Sequence, residues 1–98
     1  MADRVEQFKK ITEEITALYE MKDRAYGNSF GETYEKLGII SAVTRISDKY
    51  NRLCNMATSP TPINDCGESL EDTLKDMAAY CIMTIIAMKY GQEKEERD

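Results

Sequence analysis

Four charged residues near the middle of the chain are spaced so that they could bind an anion. The segment RISDKYNRL at 45–53 carries Arg45, Asp48, Lys49 and Arg52. At about 100° per residue on a helix, these positions fall within an arc of about 100°. Three cations in such an arc can hold a phosphate or carboxylate, and arginine suits phosphate because its planar guanidinium donates two hydrogen bonds at once. The alternative is a solvated helix face with local ion pairs.

A ridge of acidic residues follows in the last third of the chain. Glu68, Asp72 and Asp76 recur at steps of four, which repeats like charges on one face of a helix. The helix dipole favours acids in a first turn, and this explains Glu68 but not Asp76. Because the ridge continues into apolar residues, we expect Asp72 and Asp76 at the edge of a buried surface, paired with the cations of 45–52. The pairing serves either a ligand site or the structure alone.

The segment YGNSFGE at 26–32 is a third candidate element. Its glycines and small polar residues allow backbone N–H groups to approach a phosphate, and Tyr26 or Phe30 can stack on a base. Asn28 and Ser29 complete this candidate ligand-binding loop. The alternative is a simple helix connector in which Phe30 packs into the core, because no Walker-type or dinucleotide-binding pattern accompanies the loop.

The composition excludes several classes of function. With 18 acidic and 13 basic residues the net charge is −5, which disfavours binding to bulk nucleic acid. Histidine is absent, which removes histidine-based nucleophile activation, acid–base catalysis and metal ligation. The first ten residues lack the apolar segment of a signal peptide, and the apolar run 77–88 is too short to span a membrane. The cysteines lack metal-type spacing, so we expect Cys54 and Cys81 to be small buried hydrophobes in a reducing cytoplasm.

Three main helices are predicted to position these residues. Apolar residues at steps of three and four predict helices over about 3–24, 39–57 and 66–90, with a charged tail at 91–98. A short helical turn is expected between the first two helices, and the proline-containing segment TSPTPIND is expected to be a loop. Strand-like alternation is missing from the sequence. These patterns predict one all-α domain spanning 1–98, folded as a small bundle.

The last helix indicates self-association. One apolar stripe is formed by Leu70, Leu74, Met77, Cys81, Ile85 and Met88, and further apolar residues surround its second half: Ile82, Met83 and Ile86. A helix that is apolar nearly all round is buried on several sides. Three helices of a 98-residue chain cannot easily surround it. We therefore expect a dimer or higher homo-oligomer built around residues 77–88.

Two longer segments, YGNSFGETYEKLGIISAVTRISDKYNRL and ESLEDTLKDMAAYCIMTI, resemble a small all-α family called nucleotide modification associated domain, first type, of phages and prophages. The resemblance covers roughly residues 5–90. Its motifs are the YGNSF loop, the R-x-x-D-K-x-x-R pattern that begins at Arg45, and the E-D-x-x-x-D pattern of Glu71, Asp72 and Asp76. The family implies a role around nucleotides or modified nucleotides. The chain is also broadly similar to the MazG-like all-α nucleotide pyrophosphatases, which bind Mg²⁺ with acidic helices and work as oligomers.

The chain departs from the MazG-like pattern at the metal ligands. Those enzymes hold Mg²⁺ with E-x-x-E on one helix and E-x-x-D on another, but here Thr73 precedes Asp76 at the glutamate position. Arg45 likewise precedes Asp48 where an acid is expected. Two-metal hydrolysis needs several convergent oxygen ligands, and the sequence offers Asp48, Asp72 and Asp76. Cations in place of acids suit holding a ligand's phosphates more than cleaving them.

The expected function is therefore binding or sequestration of a nucleotide-derived ligand, for example a cyclic or signalling nucleotide. The protein would be phage-type, oligomeric and cytoplasmic, in the host cytoplasm if it is phage-encoded, and would require no cofactor. Arg45, Lys49 and Arg52 would hold phosphate, and the loop 26–30 would close over the base or sugar. One alternative is a Mg²⁺-dependent nucleoside triphosphate pyrophosphatase using the three aspartates named above. The other is a helical protein-interaction module whose charged ridges only solvate it.

Overall fold

A computed structural model describes residues 3–59 and 69–91 of the chain. These residues form four helices and no strand: α1 (Arg4–Tyr26), α2 (Ser29–Leu37), α3 (Ile39–Thr58) and α4 (Leu70–Tyr90). The all-α prediction is confirmed. The predicted helix count is corrected, because α2 is a nine-residue helix and not a short turn. Most of the predicted TSPTPIND loop, the predicted helix start at 66 and the tail beyond Gly91 lie outside the described residues.

Two glycines separate the first three helices. Gly27 ends α1 with φ 67° and ψ −155°, and Gly38 ends α2 with φ 74° and ψ −163°. This combination of a positive φ and an extended ψ is essentially restricted to glycine. Between them, the Asn28 side chain accepts a hydrogen bond from the backbone N–H of Gly31 at 3.3 Å and caps the start of α2. The segment therefore has a starting cap and a defined stop, which makes it a full helix.

The start of α4 is fixed by a reciprocal cap. The Ser69 hydroxyl accepts a hydrogen bond from the Asp72 backbone N–H at 3.1 Å, and the Asp72 carboxylate accepts one from the Ser69 backbone N–H at 3.2 Å. This capping box satisfies two N–H groups that have no partner within the helix. Asp72 is thereby committed to the helix end, on the rim of the bundle.

The helices enclose a small core. The main contact is between α3 and α4, while α2 packs on both of them and α1 contacts α4. Among the described residues the buried side chains are Ile15, Ala42, Thr73 and Thr84. Each buried threonine donates its hydroxyl to the backbone carbonyl one turn earlier, at 3.1 Å for Thr73 and 2.7 Å for Thr84. These bonds satisfy the two buried hydroxyl groups. Because the threonine side chains are short, they also allow α3 and α4 to approach each other closely.

The apolar stripe of α4 does not face this core. Leu70, Leu74, Ile85 and Met88 are 45%, 51%, 54% and 61% exposed. The expectation that Cys81 is buried is wrong, since it lies exposed on the same stripe, and Cys54 is only half-buried. The reason is rotational, because the buried threonines of α4 lie about 80° around the helix from the stripe. Within the described ranges, no helix is both long and apolar enough to cross a membrane.

Candidate functional site

The four charged residues of α3 line one open groove. Arg45, Asp48, Lys49 and Arg52, together with Tyr80 of α4, surround a volume of about 320 Å³, named here the cation groove. Three cations and a single carboxylate meet in this groove, although the whole chain has a net charge of −5. Among the described residues, the side chain of Arg45 has no ion-pair or hydrogen-bond partner. The groove is therefore a local basic surface with at least one guanidinium available to an anion.

Asp76 connects the cation groove to α1. Its Oδ2 accepts a hydrogen bond from Lys49 Nζ at 3.3 Å, and its Oδ1 accepts one from Lys22 Nζ at 3.2 Å. The Asp76 side chain is 13% exposed, compared with 23% for Lys49 and 52% for Lys22. The carboxylate thus joins three helices and holds the Lys49 ammonium at the groove. The predicted pairing of the acidic ridge with the cations is found at Asp76, whereas Asp72 is engaged in the cap of α4.

The loop between α1 and α2 lines a second cavity of about 270 Å³, named here the loop pocket. The predicted loop residues all contribute to its wall: Tyr26, Asn28, Ser29 and Phe30. The Phe30 ring stacks on the Tyr80 ring with centroids 5.8 Å apart and planes inclined by 29°. Phe30 is therefore packed in place by an aromatic partner, while Tyr26 is 75% exposed and presents a free ring face. The loop can therefore act both as a helix connector and as an aromatic platform for a ligand.

The cation groove and the loop pocket share two lining residues. Arg45 and Tyr80 belong to both, so the two cavities adjoin at these residues. The guanidinium of Arg45 stands at the junction, with Lys49 and Arg52 on one side and Tyr26 on the other. A molecule that is anionic at one end and carries a flat ring with polar edges at the other would match this arrangement.

Outside the predicted loop, six lining residues of the loop pocket were not predicted as site residues from the sequence: Tyr19, Lys22, Asp23, Ala79, Tyr80 and Met83. A signal for Lys22 does exist, because it extends the row of Ile15 and Leu18 at a step of four, and a cation on a core-facing row needs a partner. Tyr80 lies one turn after Asp76 on the same ridge. The sequence alone does not say that these rows meet.

The carboxylates required by the pyrophosphatase alternative do not converge. Within residues 3–59 and 69–91, no group of three acidic, cysteine or histidine side chains is placed to hold a metal ion. Asp76 faces two ammonium groups, and Asp72 accepts from the backbone of Ser69. A Mg²⁺ site would instead need several oxygen ligands directed at one point. The donor set of the cation groove fits an anion better than a divalent cation.

The model of one protein family matches the chain. The family is described as Nucleotide modification associated domain 1, and the match covers residues 22–88. It begins at Lys22 and contains α2, α3 and nearly all of α4, so it includes every residue of the cation groove and most of the loop pocket. No curated protein and no solved structure matches the chain significantly.

Proposed function

The chain belongs to the Nucleotide modification associated domain 1 family, and on that premise we propose that it binds a nucleotide-derived ligand and holds it intact. The observation that carries the proposal is the continuity between a basic groove and an aromatic pocket through Arg45 and Tyr80. A nucleotide combines the two matching parts, because its phosphates are anionic and its base is a flat ring system that can stack on an aromatic side chain.

The phosphates would lie in the cation groove. Arg45, Lys49 and Arg52 offer guanidinium and ammonium donors, and hydrogen bonds to charged groups contribute about 1.5–3 kcal/mol each. Asp76 positions Lys49 by holding its Nζ at 3.3 Å. Asp48, the one carboxylate of the groove, would orient the neighbouring cations and disfavour a ligand with too many negative charges.

The base or sugar would lie in the loop pocket. A base that stacks on an aromatic side chain gains about 1–3 kcal/mol. Phe30 is already held by Tyr80, so the exposed ring of Tyr26 is the side chain that could close over the ligand. Asn28 and Ser29 supply polar groups for the base edge or the sugar hydroxyls.

Holding the ligand is favoured over cleaving it because Asp48, Asp72 and Asp76 do not converge on a metal position. Sequestration of a cyclic or signalling nucleotide by a phage-encoded protein in the host cytoplasm, without a cofactor, is the specific form of the proposal. Homo-oligomerisation around residues 77–88 belongs to the same proposal. Its support is the exposed apolar surface of α4, including Ile82 at 46% and Ile86 at 41%.

A nucleotide panel tests the proposal. The protein is incubated with nucleoside mono-, di- and triphosphates and with cyclic mono- and dinucleotides, once with Mg²⁺ and once with EDTA. It is then separated, denatured and analysed for what it releases. We expect at least one ligand to be removed from solution in both buffers and recovered intact.

Two arginine variants provide the matched comparison. Arg52→Ala removes a cation of the groove, whereas Arg4→Ala removes an arginine at the start of α1, away from it. Binding should weaken about 10-fold or more in the first variant, from the loss of at least about 1.5 kcal/mol, and remain unchanged in the second. Pyrophosphate release with Mg²⁺ would replace the proposal with the hydrolase alternative. Absence of binding to every member would favour the interaction module.

A further inference from the structure

The exposed stripe of α4 runs along almost the whole helix. Leu70, Leu74, Met77, Cys81, Ile85 and Met88 lie on it, and all but the half-buried Met77 are exposed. From first to last the stripe extends about 27 Å at 1.5 Å per residue. Steps of three and four residues on this row are those of helices that pack against each other side by side. A continuous apolar strip of this length on a surface marks a contact with another molecule.

The segments outside the described ranges offer few large apolar residues that could cover this strip. Of the segments outside the described ranges, PTPINDCGE at 60–68 holds one large aliphatic residue, and QEKEERD at 92–98 holds none. The strip is apolar along its length, so its complement must be apolar as well. A second copy of α4 provides a surface of matching length and character.

Charges at the two ends of the strip distinguish the possible orientations. Glu71 and Lys89 are 18 residues apart, which is five full turns, so they lie at the same angular position beside the strip. The Glu71 side chain is 72% exposed even though it accepts a hydrogen bond from Lys75 at 2.8 Å. In a parallel pair, whose two-fold axis runs along the helices, the two copies of each charge would lie on opposite sides of the contact, and neither would meet a charge of opposite sign. In an antiparallel pair Glu71 faces Lys89 of the second copy, and the two helix dipoles point in opposite directions, which is also favourable.

We infer that α4 pairs antiparallel with α4 of a second copy, about a two-fold axis at the level of residue 80, midway between Glu71 and Lys89. Residues 70–88 form the contact, which therefore extends a full turn or more beyond the apolar run at 77–88. The inference rests on the self-association in the proposed function and not on the nucleotide site. The two can therefore fail separately.

The first test is the oligomeric state. Ile85→Glu places a charge in the strip, and Leu37→Glu places the same charge on α2 at a leucine that is 68% exposed. Size-exclusion chromatography with light scattering should show a dimer, or a multiple of it, for the unaltered chain and for Leu37→Glu. Ile85→Glu should be monomeric with its helical circular dichroism retained. A monomeric unaltered chain, or an Ile85→Glu variant that associates normally, would overturn the inference.

The second test is the orientation. In a background in which Cys54, Cys66 and Cys81 are replaced by serine, Glu71→Cys and Lys89→Cys are prepared separately, oxidised alone and then oxidised as a mixture. Cross-linked dimers should form in the mixture and fall at least fivefold when either variant is oxidised alone. Cross-linking of each variant with itself would show a parallel pair and contradict the inference. Nucleotide binding measured on Ile85→Glu separates the two proposals, since a monomer that still binds leaves the site intact.

Discussion

The bridge from Lys22 through Asp76 to Lys49 predicts an order of stabilities. Replacing either lysine by methionine removes the ammonium group and keeps an apolar side chain of similar length. Asp76 keeps one of its two lysine contacts in each variant. The two variants thus compare two lysines that contact one carboxylate at two degrees of exposure, 23% for Lys49 and 52% for Lys22.

The expected magnitudes follow from that exposure. A hydrogen bond to a charged group contributes about 1.5–3 kcal/mol, whereas an exposed ion pair contributes about 0.2–1 kcal/mol. After discounting for solvent screening, Lys49→Met should lower the free energy of unfolding by about 1 kcal/mol, and Lys22→Met by about 0.3 kcal/mol. In a domain of this size about 1 kcal/mol corresponds to a fall in the melting temperature of about 4–8 °C.

Urea and thermal unfolding followed by circular dichroism would measure both losses. The protein concentration must be the same for every variant, because association makes the melting temperature depend on concentration. Lys10→Met, on the exposed face of α1, is the control for loss of a lysine and should change the stability by less than about 0.5 kcal/mol. Equal losses at Lys22 and Lys49, or a larger loss at Lys22, would refute the expectation that the less exposed of the two lysine contacts contributes more to stability.

Four further perturbations test other parts of the structure. The hydrogen bonds that Lys75 donates to Glu71 and, as the smaller cause, to Glu14 raise the pKa of Lys75 above its usual 10.5. Their stabilisation is therefore complete below that pH and lost as the pH rises through the pKa of the folded state. The stability difference between the unaltered chain and Lys75→Met should therefore shrink in urea unfolding above about pH 10.5; a constant difference would contradict this. Gly38→Ala should lower the free energy of unfolding by about 1–3 kcal/mol in thermal unfolding, because φ at that residue is 74°. Gly31→Ala is not a suitable control for it, since the added Cβ would meet the Asn28 side chain. Ser69→Ala should lower the free energy of unfolding by about 1 kcal/mol through loss of the cap on α4, whereas Ser69→Asp should keep the cap and the stability. Tyr26→Ala should weaken nucleotide binding by about 1–3 kcal/mol in calorimetry with little change in stability, and Tyr26→Phe should bind normally if the ring acts by stacking.

Local patterns explain why much of the architecture was predictable. The apolar steps of α1 and α3 are regular, and the glycines that end α1 and α2 have conformations that other residues avoid. The ridge from Arg45 to Arg52 is a property of one helix, so its side chains lie together in any fold that keeps α3 helical. The full length of α2 was missed: the helix that Asn28 caps runs nine residues to Leu37, where only a short turn was expected.

Contacts between distant helices explain what the sequence did not reveal. Lys22 and Asp76 are 54 residues apart, and their meeting depends on how α1 crosses α4. The stripe on α4 is a different case, because its periodicity was visible but its exposure was not. Apolar spacing shows that a face will be buried, and it does not say whether the partner is the same chain or another. The short side chains Thr73 and Thr84 were the signal that a different face of α4 packs inside the chain.

Equilibrium dialysis in EDTA tests the central claim most directly, because EDTA removes the metal on which hydrolysis would depend. Nucleoside triphosphates and cyclic dinucleotides are offered separately to the unaltered chain, to Arg45→Ala and to Arg4→Ala. We expect that at least one nucleotide is retained and recovered intact, and that Arg45→Ala weakens its binding about 10–100-fold while Arg4→Ala does not. No retained nucleotide, or equal retention by Arg45→Ala and the unaltered chain, would contradict it.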